Sequence, residues 1–296
     1  ESMFSSPPAL PLSVMAWQQR GMHCQLSGME IFYRDTGPRL SQAIVFLHGF
    51  PSSSYDWHLV LPSLSKVGRR VVVFDFPGYG LSDKPAGFSY SLMEQADVVQ
   101  MLLSRLGIKE AQLIAHDMGT SVCCELLARR ERGLLDFTLT SLMLMNGSVH
   151  IDMAHLTPSQ KVLLTPAGPL FAQVSSRTIF KLQLQKIVSK PLPDEELDAM
   201  WALLAHKEGK GRLAKIISYL RERARFRDRW IGPLTRLDIP CTILWGREDP
   251  VAVAAIAERL AREIPTAELI WLEGIGHYPQ LEAPAEVAEV IDRFMA

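Results

Sequence analysis

Residues 112–120, Gln112-Leu113-Ile114-Ala115-His116-Asp117-Met118-Gly119-Thr120, constrain this chain more than any other segment. An apolar run ends on a small residue, and His, Asp, Met and Gly then lead into an apolar stretch of helical character. That is the pattern of a strand turning sharply into a helix, with one side chain held out at the bend. Such elbows commonly present serine; this one presents Asp117. A carboxylate there points to attack on a saturated carbon, leaving an ester, rather than to acyl transfer from an existing ester.

The surrounding pattern supplies the sheet that an elbow needs. Met22–Leu26 and residues 29–34 alternate in hydrophobicity around Ser27-Gly28 and read as an antiparallel hairpin. Residues 43–47, 70–74, 111–115 and 141–145 are short continuous apolar runs, as expected of strands covered on both faces. Helical spacing fills the gaps at 55–66, 91–106 and 121–129, so strands and helices alternate. From 147 to 234 the strand pattern stops, and helical stretches appear at 158–164, 171–188, 194–206 and 211–226. The strand–helix rhythm resumes with 241–245, 253–264, 268–272 and 285–294. The expectation is an α/β fold with a mostly parallel central sheet flanked by helices. Residues 1–146 and 235–296 form its core, with 1–19 as a loose arm, and 147–234 form an inserted helical cap over the carboxyl edge of the strands.

Three polar groups fall just past predicted strands: Asp117, Asp249 and His277. Nucleophile, acid and histidine in that chain order match the triad order of one hydrolytic fold. The first long strand is followed by Phe46-Leu47-His48-Gly49-Phe50-Pro51. A glycine there lets the backbone approach the nucleophile closely, so the amides of Phe50 and Met118 are the expected oxyanion donors.

With these motifs in hand, the chain resembles the α/β-hydrolases of the aspartate-nucleophile branch, which holds epoxide hydrolases and haloalkane dehalogenases. Within that branch it is similar to the mesoderm-specific-transcript-like proteins. The residues carrying that likeness are His48-Gly49-Phe50-Pro51, Ser54-Tyr55-Asp56-Trp57, the run from Asp75 to Pro85, the stretch from Arg225 to Gly232, and His277-Tyr278-Pro279-Gln280-Leu281-Glu282. The resemblance implies a hydrolase without cofactor or metal, acting on a small hydrophobic substrate. Haloalkane dehalogenases of the branch place tryptophan directly after the nucleophile, where this chain has Met118, and one subgroup has asparagine where it has Phe50. Epoxide hydrolases carry two cap tyrosines that hold the epoxide oxygen. Tyr219 matches the second; residues 147–218 contain no tyrosine to match the first, leaving His206 or His155 as stand-ins. Epoxide hydrolysis is therefore the leading expectation. Halide release by the same aspartate, with Trp201 as halide donor, and an idle fold used for binding are the alternatives. His48, Pro51, Trp201 and Tyr278 are expected to line the substrate pocket, beneath an apolar cap of Leu163, Leu164, Leu170, Phe171, Leu203 and Leu204. Asn146 is a possible support for the acid, though a turn is the commoner use of such a residue. The alternating Arg221, Arg223, Arg225, Arg227 and Arg229 read as a solvated helix face.

Composition narrows the remaining classes. The chain has 31 Lys and Arg against 32 Asp and Glu, so no global field gathers nucleic acid. No window approaches the roughly 20 apolar residues of a bilayer span. Cys24, Cys123, Cys124 and Cys241 show no metal or redox spacing, read as buried free thiols, and favour a reducing, cytoplasmic setting. A monomer or homodimer is expected.

Overall fold

The computed structural model describes residues 7–295. Its centre is a sheet of eight strands in the order β1-β2-β4-β3-β5-β6-β7-β8. The hairpin β1 (Met22–Leu26) and β2 (Met29–Thr36) joins antiparallel to β4 (Val71–Phe74). From β4 onward the neighbours are parallel: β3 (Gln42–Leu47), β5 (Glu110–His116), β6 (Thr138–Met145), β7 (Cys241–Gly246) and β8 (Ala267–Leu272). All four residues of β4 and all six of β7 are buried, which is why these strands read as unbroken apolar runs.

Helices cover the sheet: α1 (Leu12–Gln19), α2 (Leu92–Arg105) and α3 (Met118–Glu131) precede the helical block. Between β6 and β7 lie α4 (Pro158–Leu163), α5 (Gly168–Val174), α6 (Arg177–Ile187), α7 (Asp194–Ala205), α8 (Leu213–Ile216), α9 (Tyr219–Arg225) and α10 (Arg227–Thr235). Then follow α11 (Ala254–Glu263), α12 (Pro279–Glu282) and α13 (Pro284–Phe294).

Four expectations change, the first being the helix expected at 211–226, which is divided into α8 and α9 by a turn at Ile217 and Ser218. Residues 1–19 are not all a loose arm. The first six lie outside the described residues, but α1 buries Val14 and Trp17, and Trp17 packs edge-on against Tyr55 beneath the Arg34 guanidinium. Residues 55–66 form two 3-10 turns, Ser54–Trp57 and Leu61–Ser63, rather than one helix, because Pro62 removes a donor needed to continue it. The long helix expected at 171–188 breaks at Ser175-Ser176, where the Ser176 side chain caps a new helix by accepting from the Ile179 amide.

The carboxyl ends of β3, β5, β6, β7 and β8 therefore share one edge of the sheet. The loops leaving them carry His48 to Phe50, Asp117, Asn146, Asp249 and His277. This is the edge where open α/β sheets bind ligands.

Candidate active site

Asp117 is the single residue between β5 and α3, with φ 51° and ψ −117°. A non-glycine residue held there is strained by about 1–3 kcal/mol, and the neighbours fix it. A side chain at Gly49 would meet Asp117 Cβ at 2.4 Å, and one at Gly119 would meet the Leu47 carbonyl at 2.5 Å. Both glycines are needed for the two loops to approach. The Asp117 carbonyl oxygen accepts from Thr120 Oγ1 at 2.6 Å and from Arg223 Nη2 at 3.0 Å.

The Asp117 carboxylate is buried but engaged at both oxygens. Oδ2 accepts the Phe50 amide at 2.9 Å, and Oδ1 lies 3.1 Å from Nε2 of His277. On the far side of the ring, His277 Nδ1 lies 2.6 Å from Asp249 Oδ2. Asp249 is held in turn: Oδ1 accepts the amides of Val251 and Ala252, and Oδ2 accepts Asn146 Nδ2 at 2.9 Å. Asn146 also accepts the Gly246 amide, tying β6 to β7. The residue thus holds the Asp249 carboxylate, beyond closing a turn.

Burial alone would raise the Asp117 carboxyl. Its bond to His277, the imidazolium charge and the Arg223 guanidinium overcome this and hold it well below the usual carboxylate range. Burial alone would lower His277, but the Asp249 charge, with help from Asp117, pushes it up to about 10. The resting pair is an imidazolium against a carboxylate. Burial pulls neighbouring His116 down to about 3, so it stays neutral and donates Nε2–H to the His277 carbonyl at 2.6 Å.

A cavity of about 110 Å³ opens above Asp117 and His277. Phe50, Pro51, Leu163, Phe171, Trp201 and Leu204 supply apolar wall, while Thr157, Ser159, Gln160, Ser175 and Gln183 add polar groups. Pro51 and Trp201 therefore lie where expected. His48 and Tyr278 do not. His48 is fully buried as a clamp, its Nδ1 on the Gly49 carbonyl and its Nε2 accepting the Phe76 amide. Tyr278 is fully buried against His116 and His277, with its hydroxyl 3.4 Å from Ser52 Oγ. Of the six apolar cap residues, Leu163, Phe171 and Leu204 line the cavity; Leu164 packs against the core, Leu170 points outward and Leu203 joins a core cluster.

Tyr219 is buried against Phe50, with ring centroids 5.8 Å apart, and is not part of the cavity wall. Burial, reinforced by the Asp117 charge, raises its phenol, so it remains protonated. His155 and His206 do not line the cavity either. The Met118 amide begins α3, but among the described residues only the Phe50 amide is bonded to the carboxylate.

The arginine run is not a uniform solvated face. Arg223 is buried, donates Nε–H to Ser121 Oγ at 2.8 Å and lies 4.9 Å from the Tyr219 ring centroid. Arg229 forms a two-pronged bond to buried Glu125, which also accepts from Arg129 and the Trp230 indole. The signal was available: Tyr219 and Arg223 are four residues apart, so they share a helix face. A further residue missed from sequence is Glu282, whose buried carboxylate accepts the amides of Ser189, Lys190, Gly276 and Tyr278.

The sheet, elbow and loop order define an α/β hydrolase. The sequence profile of the alpha/beta hydrolase fold family matches residues 42–284, and the chain belongs to that family. It is 41% identical over 279 residues to the LipZ protein of Mycobacterium tuberculosis, covering 94% of this chain and 96% of the relative. It is 32% identical over 290 residues to the mesoderm-specific transcript protein of Mus musculus, covering 94% and 86%. Among solved structures, haloalkane dehalogenase DbeA from Bradyrhizobium elkani superposes with a TM-score of 0.79 at 25% identity, covering 92% and 96%.

Proposed function

We propose that this hydrolase opens hydrophobic epoxides to vicinal diols through an ester on Asp117. The observation that carries the reading is how the carboxylate is held: one oxygen on the Phe50 amide, the other on His277, with the cavity above. Arg223 bonds the backbone carbonyl of Asp117 and leaves both carboxylate oxygens out of any arginine salt bridge.

The Asp117 carboxylate attacks a ring carbon, the C–O bond breaks, and ring strain assists. Tyr219, kept protonated by its burial, is the donor assigned to the epoxide oxygen, which requires its hydroxyl to turn past Phe50 toward the cavity. Esterification deletes the negative charge that helps keep the proton on His277. The imidazolium then releases its proton, the alkoxide oxygen takes one up, and Nε2 becomes a base. In the resting site the 3.1 Å contact leaves no room for water between His277 and Asp117. Ester formation weakens that contact and admits one. His277, oriented by Asp249, takes a proton from this water, and the hydroxide attacks the Asp117 carboxyl carbon. The oxyanion forms on the oxygen already facing the Phe50 amide, with the Met118 amide as second donor. Each such donor typically contributes about 2.7–4 kcal/mol. The oxyanion collapses, and the bond between the carboxyl carbon and the substrate oxygen breaks. That oxygen takes the proton of the newly formed carboxylic acid, and the diol leaves carrying an oxygen that began in Asp117.

Single turnover of excess enzyme with styrene oxide in heavy-oxygen water tests the reading. The first diol should carry unlabelled oxygen from Asp117; label in that first product overturns it.

A second reading is halide release after the same attack. It is favoured by Trp201, whose indole ring forms part of the cavity wall. A pH-indicator screen of haloalkanes against epoxides separates the two.

A further inference from the structure

We propose that the lobe formed by α4, α5 and α6 docks onto an anionic lipid surface, with the mouth of the cavity turned toward it. Among the described residues, twelve large apolar side chains are exposed, and five of them are Val162, Leu170, Val174, Ile179 and Leu182. These five lie on the same three helices that wall the cavity. Leu170, at 67% exposure, and Val174 are four residues apart on α5; Ile179 and Leu182, at 60%, are three apart on α6. Each pair therefore shares an outward helix face. Other residues of the same helices, Phe171 and Ala172 on α5 and Phe180, Leu184 and Ile187 on α6, face the cavity. Burial against the site explains only that inner set, and nothing in the fold covers the outer one.

The charge of the lobe says what covers it. Residues 153–193 contain five lysines and arginines and no aspartate or glutamate, in a chain that is otherwise balanced. Arg177 and Lys181 are paired with α7 carboxylates, Asp198 for both and Asp194 for Lys181. Lys161, Lys186 and Lys190 make no ion pair among the described residues. Lys186 follows Leu182 by four residues, so α6 presents isoleucine, leucine and lysine along one exposed face. Exposed apolar side chains with unpaired lysines in the same segment fit the headgroup region of a bilayer containing acidic lipids. Among the described residues no helix is long and apolar enough to cross a membrane, so the lobe would rest on the surface. The substrate route rests on the function proposed above: an apolar substrate dissolved in lipid would enter the cavity without crossing water.

Docking is tested without turnover, by cosedimentation of the full chain with vesicles of phosphatidylcholine alone or mixed with phosphatidylserine. Binding should require phosphatidylserine and weaken with salt. Lys186→Glu should lower the bound fraction's partition coefficient about tenfold or more, since each charge near such a surface changes it about fivefold. Leu170→Gln with Leu182→Gln should abolish binding while melting temperature and turnover of a water-soluble substrate stay unchanged. Equal binding to both vesicle types, or none to either, overturns the proposal. So does a dimer seen by light scattering that the double leucine variant dissociates, which would assign the face to a second copy. Vesicle binding by a protein that turns over no epoxide leaves the docking standing and removes the function.

Discussion

Arg223 on α9 donates to the carbonyl oxygen of Asp117, so the helical block between β6 and β7 holds the backbone of the elbow that the core sheet provides. The same guanidinium bonds Ser121 on the first turns of α3 and lies over the ring of Tyr219. One buried side chain thus fixes the strained bend, the start of the helix behind it, and the aromatic beside Phe50. The packing of the helical block and the position of the Asp117 backbone are linked through it.

Replacing Arg223 with lysine keeps the charge but gives up the planar fork that reaches Ser121 and Asp117 together. Arg223→Lys should lower kcat about tenfold with a modest loss of thermal stability, and Arg223→Met should lower kcat further. Circular dichroism would confirm that the fold survives. An unchanged kcat in both variants would show that the elbow needs no such support.

The pH profile separates the two chemical steps. Asp117 is ionised at any working pH because His277 and Arg223 depress it, so kcat/KM on the acid side should stay flat down to about pH 5. In the proposed mechanism ester hydrolysis needs neutral His277, whose pKa falls once Asp117 carries no charge, so kcat should rise with pH. His277→Gln should stop at the ester, with the added substrate mass on the peptide containing Asp117. Recovery of that peptide unmodified after incubation with substrate would contradict the step assigned to His277.

Stability should respond to pH through two buried groups of opposite sign. His277 is raised from 6.5 to about 10, so the stability it contributes is complete below pH 6.5 and is lost as pH rises through 10. Lys84 is lowered by burial from 10.5 to about 7, while its ammonium donates to the carbonyls of Leu203, Leu204 and His206 at the end of α7. There the unfolded chain binds more protons, so stability rises from pH 7 to 10.5. The melting temperature of the wild type should therefore be nearly level across pH 7–10. It should fall across that window in Lys84→Met and rise in His277→Gln. Parallel profiles for all three proteins would remove both assignments.

The elements legible in the sequence were those governed by local period. The five strands from β3 to β7 were readable because burial, mostly on both faces, makes each a short apolar run. β8 was readable because its half-buried Leu269-Ile270-Trp271-Leu272 is apolar too, and the elbow because strand, aspartate and helix adjoin. Relations set by tertiary packing were not legible. Trp17 is buried by contact with Tyr55 and Arg34, which no local pattern announces. His48 was expected in the substrate pocket because it adjoins Gly49, yet its ring is spent on the Phe76 amide across the sheet edge. Arg223 looked like one of five alternating surface cations. Only its four-residue offset from Tyr219 marked it as inward facing.

Trp201 divides the two candidate reactions. Trp201→Phe keeps an aromatic wall but removes the indole N–H. If the enzyme opens epoxides, kcat/KM should change by no more than about twofold. If Trp201 holds a departing halide, haloalkane turnover should fall on the order of a hundredfold, the scale of losing one donor to developing charge. Steady-state rates on both substrate classes decide between them.

Glu282 is the last link between the helical block and the imidazole. Oε1 accepts the amides of Ser189, Lys190 and Gly276, and Oε2 accepts that of Tyr278, so the carboxylate brackets His277 on both sides. The His277 amide itself donates to the Ile187 carbonyl at the end of α6 at 2.9 Å. Glu282→Gln keeps the shape but turns one acceptor into a donor facing a backbone N–H. A buried, charge-assisted bond lost without replacement costs about 2–3 kcal/mol, which for a chain of this size lowers the melting temperature by roughly 3–5 °C. Because the slack falls on the His277 loop, kcat should drop about tenfold while the rate of ester formation on Asp117, followed by mass, stays near that of the wild type. Equal losses in both rates would mean that Glu282 supports the whole edge of the sheet and not His277 in particular.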